Sequence, residues 1–249
     1  VGVLDHEMTH DLGAPDLYNT TQGEQYLGYY STMNYGSYCY PTPCALDPWT
    51  KIYLGWVTPR VVSNIEDIDV TVSGTDSLTD VNSSFILFLF FPTHYSFCLN
   101  QVVQLRKQDD GFSWKWNDRY GKGEFWLVEY RKGGFGVFDP PDPYIHDGLV
   151  LWHVLMEISA WNNINNYIPR MIEVVPASTL GILQESWLRS SGTPYDQFPG
   201  AANIIKWDCE DSLLFSGKPS CTSMNLLTVP SKTSVSVRVR FNEIGMLHS

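Results

Sequence analysis

What the sequence is short of narrows its function first. Lysine and arginine number 16 against 27 aspartates and glutamates, giving a net charge of −11 and a sequence pI near 4.8. A surface poor in cations cannot neutralise a phosphate backbone, so no nucleic-acid partner is expected. Apolar runs are short as well. The longest, residues 85–91, falls well below the ~20 residues a helix needs to cross a bilayer, so no transmembrane segment is read. None of the five cysteines forms a CxxC pair, which disfavours a cysteine-ligated zinc site. A GxSxG elbow, a Cys-His signature and a glycine-rich phosphate loop are all missing, which removes the nucleophilic hydrolases and phosphate binders. The sequence opens on Val1 rather than Met, with five residues before its first histidine, and reads as a piece of something longer.

What is present describes a globular chain. Hydrophobic residues make up 43% of the 249 and charged residues 17%, a balance that buries a core rather than staying disordered. Nine Trp and fourteen Tyr suit broad β-sheet faces. Cys39 and Cys44, and Cys209 and Cys221, are spaced as local disulfides, leaving Cys98 odd. Asn19-Thr20-Thr21 and Asn82-Ser83-Ser84 fit the glycosylation acceptor pattern. Together these lean toward an oxidising, secreted setting.

The chain divides by pattern into an α+β protein. Residues 1–12 read as the end of a helix that Gly13 and Pro15 stop. Residues 13–48 read as loop and turn. A second helix is expected from Asp47 as cap, Pro48 in the first turn and Gly55 at the end. From about residue 59 the pattern turns β-dominated and sandwich-like, with strands expected at 68–72, 125–130, 148–154 and 235–241. The domain reading is therefore 1–58 and 59–249, with an inserted, Phe-rich segment near 83–100.

The chemistry lies in residues 4–16. His6 and His10, four apart, fall on one helix face one turn apart, as two nitrogen ligands of a tetrahedral zinc require. Glu7 beside them has a carboxylate able to reach a metal-bound water. The bland alternative is a helix with two surface histidines, since HExxH alone recurs by chance. A third ligand demands that the chain curl back. Gly13 permits a positive φ there, and Asp16 is then placed to complete an HExxHxxGxxD set. Glu24, fourteen residues after His10, is the rival third ligand of a gluzincin arrangement. Asp5 and Asp11 are candidates for orienting the second ring nitrogens, with surface solvation as the plainer reading. His153, in an apolar strand, reads as a satisfied core histidine. Asp139, Asp142 and Asp147, or Asn162, Asn163, Asn165 and Asp196, offer oxygens for a calcium ion, against the plainer reading of solvated turns.

The HExxHxxGxxD spacing resembles the metzincin zinc motif. Met33, in Ser31-Thr32-Met33-Asn34-Tyr35, stands where that class has its Met-turn, and Tyr35 matches a tyrosine that stabilises the oxyanion in similar enzymes. Beyond the motif, HDLGAPDLYNT, STMNYGSY and DPWTKIYLGWV resemble the immune inhibitor A family of secreted metallopeptidases, and GEFWLVEYRKGG, GLVLWHV and YDQFPG look like its later elements. The resemblance implies a secreted zinc endopeptidase acting on protein or peptide substrates, often with calcium sites. It implies a metzincin-like catalytic half-domain in residues 1–58, preceded in the family by a substrate-binding half that this sequence lacks. Three functional classes thus stand: a zinc endopeptidase with Glu7 and Tyr35 as catalytic residues, a non-catalytic β-rich binding module that keeps the zinc site, and a gluzincin-type exopeptidase.

Overall fold

A computed structural model describes residues 1–21, 27–39, 43–62, 66–71, 102–105, 123–131, 147–156, 165, 169–178, 193–218, 220–228 and 234–241. Helix α1 covers Gly2–Asp11 and α2 covers Pro48–Tyr53. Both end where their sequence signals lie. Gly13, at φ +101°, turns the chain after α1, donating its N–H to the His10 carbonyl at 2.8 Å. Asp47 caps α2 by accepting the Thr50 N–H at 2.8 Å, Pro48 sits in the first turn, and Gly55 leaves at φ +74°. Between the helices, among the described residues, lie the short 3-10 turns Gly28–Tyr30 and Tyr35–Tyr38.

Among the described residues, nine strands form two sheets: β1 (Arg60–Val62), β2 (Glu66–Thr71), β3 (Val103–Leu105), β4 (Glu124–Arg131), β5 (Gly148–Leu155), β6 (Ile172–Val175), β7 (Lys206–Trp207), β8 (Thr222–Leu226) and β9 (Ser234–Phe241). The first sheet runs β1-β3-β4-β5-β6 and is mixed, because β1 and β3 pair in parallel. The second, β2-β9-β8-β7, is antiparallel. Few helices beside one mixed and one antiparallel sheet, among the described residues, agree with the α+β expectation.

The first sheet is covered on both faces, which explains why β4 and β5 read as unbroken apolar runs. Side chains alternate across a strand. Phe125 and Leu127 of β4, with Val150, Trp152 and Val154 of β5, pack against Leu17, Leu27, Met33, Trp49 and Ile52. Their neighbours Trp126, Val128, Leu149 and Leu151 face Trp207, Met224, Val235, Val237 and Val239 of the second sheet. Phe125 and Leu127 are fully buried, a contribution of about 1.5–3 kcal/mol each. The helical segment, the first sheet and the second sheet are thus three successive layers.

Cys39–Cys44 and Cys209–Cys221 are disulfide-bonded, as their spacing suggested. Cys98, the 83–100 segment and the Asn82 acceptor lie outside the described residues. Asn19 is 2% exposed and accepts the Thr21 N–H at 3.0 Å, which withdraws it from the surface that a glycan requires. Among the described residues, no helix is long and apolar enough to cross a membrane.

Candidate metal centre

The turn of α1 and the reversal at Gly13 bring three ligand-type side chains to one point. His6 Nε2 lies 3.1 Å from Asp16 Oδ1, His10 Nε2 lies 3.1 Å from the same oxygen, and the two Nε2 atoms are 3.0 Å apart. Ligands held about 2.0–2.1 Å from a tetrahedral zinc stand roughly 3.3 Å from one another, so the triangle is close to the size the ion needs.

The protonation pattern makes the fit chemical as well as geometric. His6 Nδ1 faces the Thr32 carbonyl at 2.9 Å and His10 Nδ1 faces the Ala14 carbonyl at 2.8 Å. A carbonyl only accepts, so each Nδ1 carries its ring's hydrogen and each neutral Nε2 presents a lone pair. With both rings neutral, two lone pairs and a carboxylate oxygen converge on one point, an arrangement that a cation, whether a proton or a metal ion, relieves. The same demand shows in the titration. Burial works against charging His6. The Asp16 hydrogen bond, the Thr32 carbonyl and the charges of Asp16 and Glu7 outweigh it and raise the His6 pKa. Burial likewise opposes the Asp16 charge, yet the His6 bond and the neighbouring imidazoles hold its carboxyl below the usual range.

The support behind the ligands runs inward to the first sheet. Residues 31–34 brace both sides of the site: the Thr32 carbonyl holds His6, and the Met33 carbonyl accepts the Leu17 N–H at 2.9 Å, fixing the backbone beside Asp16. Met33 is fully buried, and its N–H donates to Ser31 Oγ at 3.1 Å. Ser31 in turn donates to Asp47 Oδ2 at 2.6 Å, tying the turn to the cap of α2. Lys51 of α2 and Arg131 of β4 each reach Glu129 of β4 at 2.7 Å, and Arg131 also donates to the Tyr30 and Leu46 carbonyls. A buried ion cluster thus clamps the segment that orients the ligands.

The structure places the sequence candidates as follows. His6, His10 and Asp16 converge, and among the described residues they are the group of three His, Cys, Asp or Glu that does so. Glu7 is exposed beside them, within electrostatic reach of His6 and Tyr18. Tyr35 packs its half-buried ring, tilted, against those of Tyr29 and Tyr38, at 5.1 and 5.3 Å. Asp5 and Asp11 do not orient the imidazoles, because backbone carbonyls occupy both Nδ1 atoms. Glu24 lies outside the described residues. His153 is a satisfied core histidine: Nε2 meets Glu124 Oε1 at 2.7 Å, and its ring stacks between Trp126 and Phe215.

Calcium finds no support. Asn165 and Asp196 give their side chains to protein partners, and Asp139, Asp142, Asn162 and Asn163 lie outside the described residues. Sequence reasoning missed two residues at the metal centre itself. Tyr18 lies beside the cluster, its ring 6.3 Å from that of His6, where burial and the Asp16 charge raise its pKa, and Asn165 donates to the Leu17 carbonyl at 2.9 Å. The i, i+2 spacing of Asp16 and Tyr18 was a usable signal for the first; nothing local announced the second.

With this geometry in view, the comparisons with known proteins carry a definite but limited weight. Neither a curated protein nor a solved structure matches the chain. Residues 1–55 match the family model described as immune inhibitor A peptidase M6, catalytic domain. The segment that carries the His-His-Asp cluster is thus similar to a peptidase catalytic domain, and a proteolytic function is what that similarity suggests.

Proposed function

We propose that the chain is a zinc-dependent endopeptidase of metzincin type. In this reading His6, His10 and Asp16 hold the metal and Glu7 is the general base. The observation that carries it is the convergence of two Nε2 lone pairs and one carboxylate oxygen, with both Nδ1 hydrogens already spent on carbonyls. When bound, zinc supplies Lewis-acid polarisation of the scissile carbonyl and lowers the pKa of a water to about 7. The Glu7 carboxylate accepts the proton of the attacking water and delivers it to the leaving amine nitrogen. Tyr35 keeps its place as oxyanion donor on the strength of the motif, since its observed ring contacts are with Tyr29 and Tyr38. Residues 1–58 form the catalytic part and residues 59–249 the β-rich region that supports it. Two disulfides favour a secreted protein with protein or peptide substrates.

Glu7→Gln separates the metal from the chemistry. The variant is expected to retain stoichiometric zinc while cleaving a generic protein substrate about 10²–10⁴-fold more slowly. Full activity in the variant rejects Glu7 as the base. A second reading, a binding module that keeps the zinc site without catalysis, is favoured by the open side of α1, where Leu4 is 62% exposed and Met8 and Leu12 are also exposed. Wild-type protein that binds zinc and cleaves nothing selects that reading. Protein that binds no zinc rejects the metal centre.

A further inference from the structure

The two imidazoles are oriented from different places. His10 Nδ1 donates to the Ala14 carbonyl, which belongs to the turn that follows its own helix. His6 Nδ1 donates to the Thr32 carbonyl, 26 residues away, so the first ligand depends on what holds Thr32. That hold comes from residues 44–45. The Thr32 N–H donates to the Ala45 carbonyl at 3.3 Å, and its Oγ1 donates to the Cys44 carbonyl. Cys44 is locked in turn to the stretch before it. Its N–H donates to the Gly36 carbonyl at 3.0 Å, that of Cys39 donates to the same oxygen at 3.3 Å, and the Gly36 N–H donates to the Ser31 carbonyl at 2.9 Å. The Cys39–Cys44 disulfide closes this ring of backbone covalently. Packing within it is tight, since a Cβ on Gly36 would stand 2.5 Å from the Ser31 oxygen and 3.2 Å from Cys44 Cβ. One on Gly2 would stand 3.2 Å from Pro43 Cβ, so the ring also meets the first turn of α1.

We propose that the Cys39–Cys44 bridge is a positioning element of the metal centre, holding Cys44 against Thr32 so that the Thr32 carbonyl keeps His6 aimed at His10 and Asp16. The inference rests on the zinc reading above and deepens it. After Cys44 the chain has other anchors, because Arg131 donates to the Leu46 carbonyl at 2.7 Å and Asp47 caps α2. Before it, the bridge is the covalent hold on the carbonyl that Thr32 uses. A bridge stabilises a whole chain more when it closes a longer loop. Cys39–Cys44, at a sequence separation of 5, is the shorter of the two bridges, so its effect is concentrated on the site it borders. Cys209–Cys221, at a separation of 12, adjoins β8 in the layer of the second sheet and serves as the internal control.

The test is a Cys39→Ala, Cys44→Ala double variant, which removes the bridge without creating thiols that could themselves bind zinc. Losing a partner behind a metal ligand typically lowers metal affinity about 10- to 100-fold. Here the Thr32 carbonyl remains and loses only its support, so a fall of about 10-fold is expected, read by competition with a chelator. Proton NMR of the zinc-loaded protein separates positioning from general loosening. The His6 ring N–H signal is expected to shift and to exchange faster with water, while that of His10, held by Ala14, stays as in wild type. A Cys209→Ala, Cys221→Ala variant is expected to lower the urea midpoint and keep wild-type zinc affinity. In a His6→Ala background, removing the Cys39–Cys44 bridge is expected to add no further loss. Wild-type affinity in the first variant, an equal loss in the control pair, or a further loss in the His6→Ala background overturns the proposal. Collapse of the far-UV circular dichroism, or disturbance of both histidine signals alike, overturns it too, since the bridge then serves the fold at large. Wild-type protein that takes up no zinc is a distinct result: it defeats the metal centre, and the inference falls with it.

Discussion

Asn165 stands 148 residues from Leu17, yet its amide donates to the Leu17 carbonyl at 2.9 Å and to the Ile172 carbonyl at 3.1 Å, while its Oδ1 accepts the Ile172 N–H at 3.2 Å. One fully buried side chain therefore ties the ligand-bearing turn to the start of β6. Asn165→Ala leaves the Ile172 groups without this partner, at about 1–3 kcal/mol for each buried group left unsatisfied. A urea midpoint lowered accordingly, together with weakened zinc binding, is the expected result; an unchanged midpoint would show that water replaces the amide. The contrast with His6, Glu7 and His10 says what a sequence reveals at this scale. The roles proposed for them follow from two histidines four apart on a helix with Glu7 beside the first, a property that neighbouring residues fix by themselves. Asp16 needed the Gly13 turn to be recognised. Asn165 had no spacing to give it away, because only the folded chain brings it to Leu17.

Among the elements, those bounded by local chemistry were legible and those made by distant pairing were not. Asp47, Pro48 and Gly55 define α2 within a stretch of nine residues, and each does in the structure what its chemistry suggests. Strands β4 and β5 are long and apolar enough to be recognised, although their burial on both faces hides the alternation that would have told which side faces which layer. Strands β3 and β7 have three and two residues, too few for any period to show. The parallel pairing of β1 with β3 joins segments about forty residues apart, which no local pattern encodes. The hinge between α1 and the third ligand belongs to the legible group, and it is testable. Gly13 has nothing within 4 Å of where a Cβ would stand, but its φ of +101° strains any other residue. Gly13→Ala is expected to cost about 1–3 kcal/mol in thermal stability and to weaken zinc binding. Asp16 reaches the histidines only through that turn. Wild-type zinc affinity in Gly13→Ala would mean the reversal tolerates another backbone path.

For the molecule as a whole, the buried charges set how stability answers to pH. Burial disfavours the Glu129 carboxylate, yet Arg131 and Lys51 hold its pKa below the ordinary value of 4.5. Between that folded pKa and 4.5 the unfolded chain binds a proton that the folded chain refuses. Glu129 thus contributes stability that is fully present above the unfolded value and is lost as pH falls through the folded one. Asp47 works in the opposite sense, since burial pushes its carboxyl up against the bonds from Ser31 and Thr50. Comparing wild type with a Lys51→Met, Glu129→Leu, Arg131→Met variant removes the cluster while keeping Asp47. Wild type is expected to lose stability relative to that variant as pH is lowered from 5 to 3, read from urea midpoints; parallel curves would remove the cluster as the acid-sensitive element. The clamp that Arg131 forms on the Tyr30 and Leu46 carbonyls has one more consequence. The family-model match covers residues 1–55, whereas the buried contacts behind the candidate ligands come from Glu129, Arg131 and Asn165. The matched segment and the architecture that holds it thus have different lengths in this chain. Transplanting residues 1–55 to a foreign scaffold would carry the candidate ligands His6, His10 and Asp16 across and leave their buttress behind.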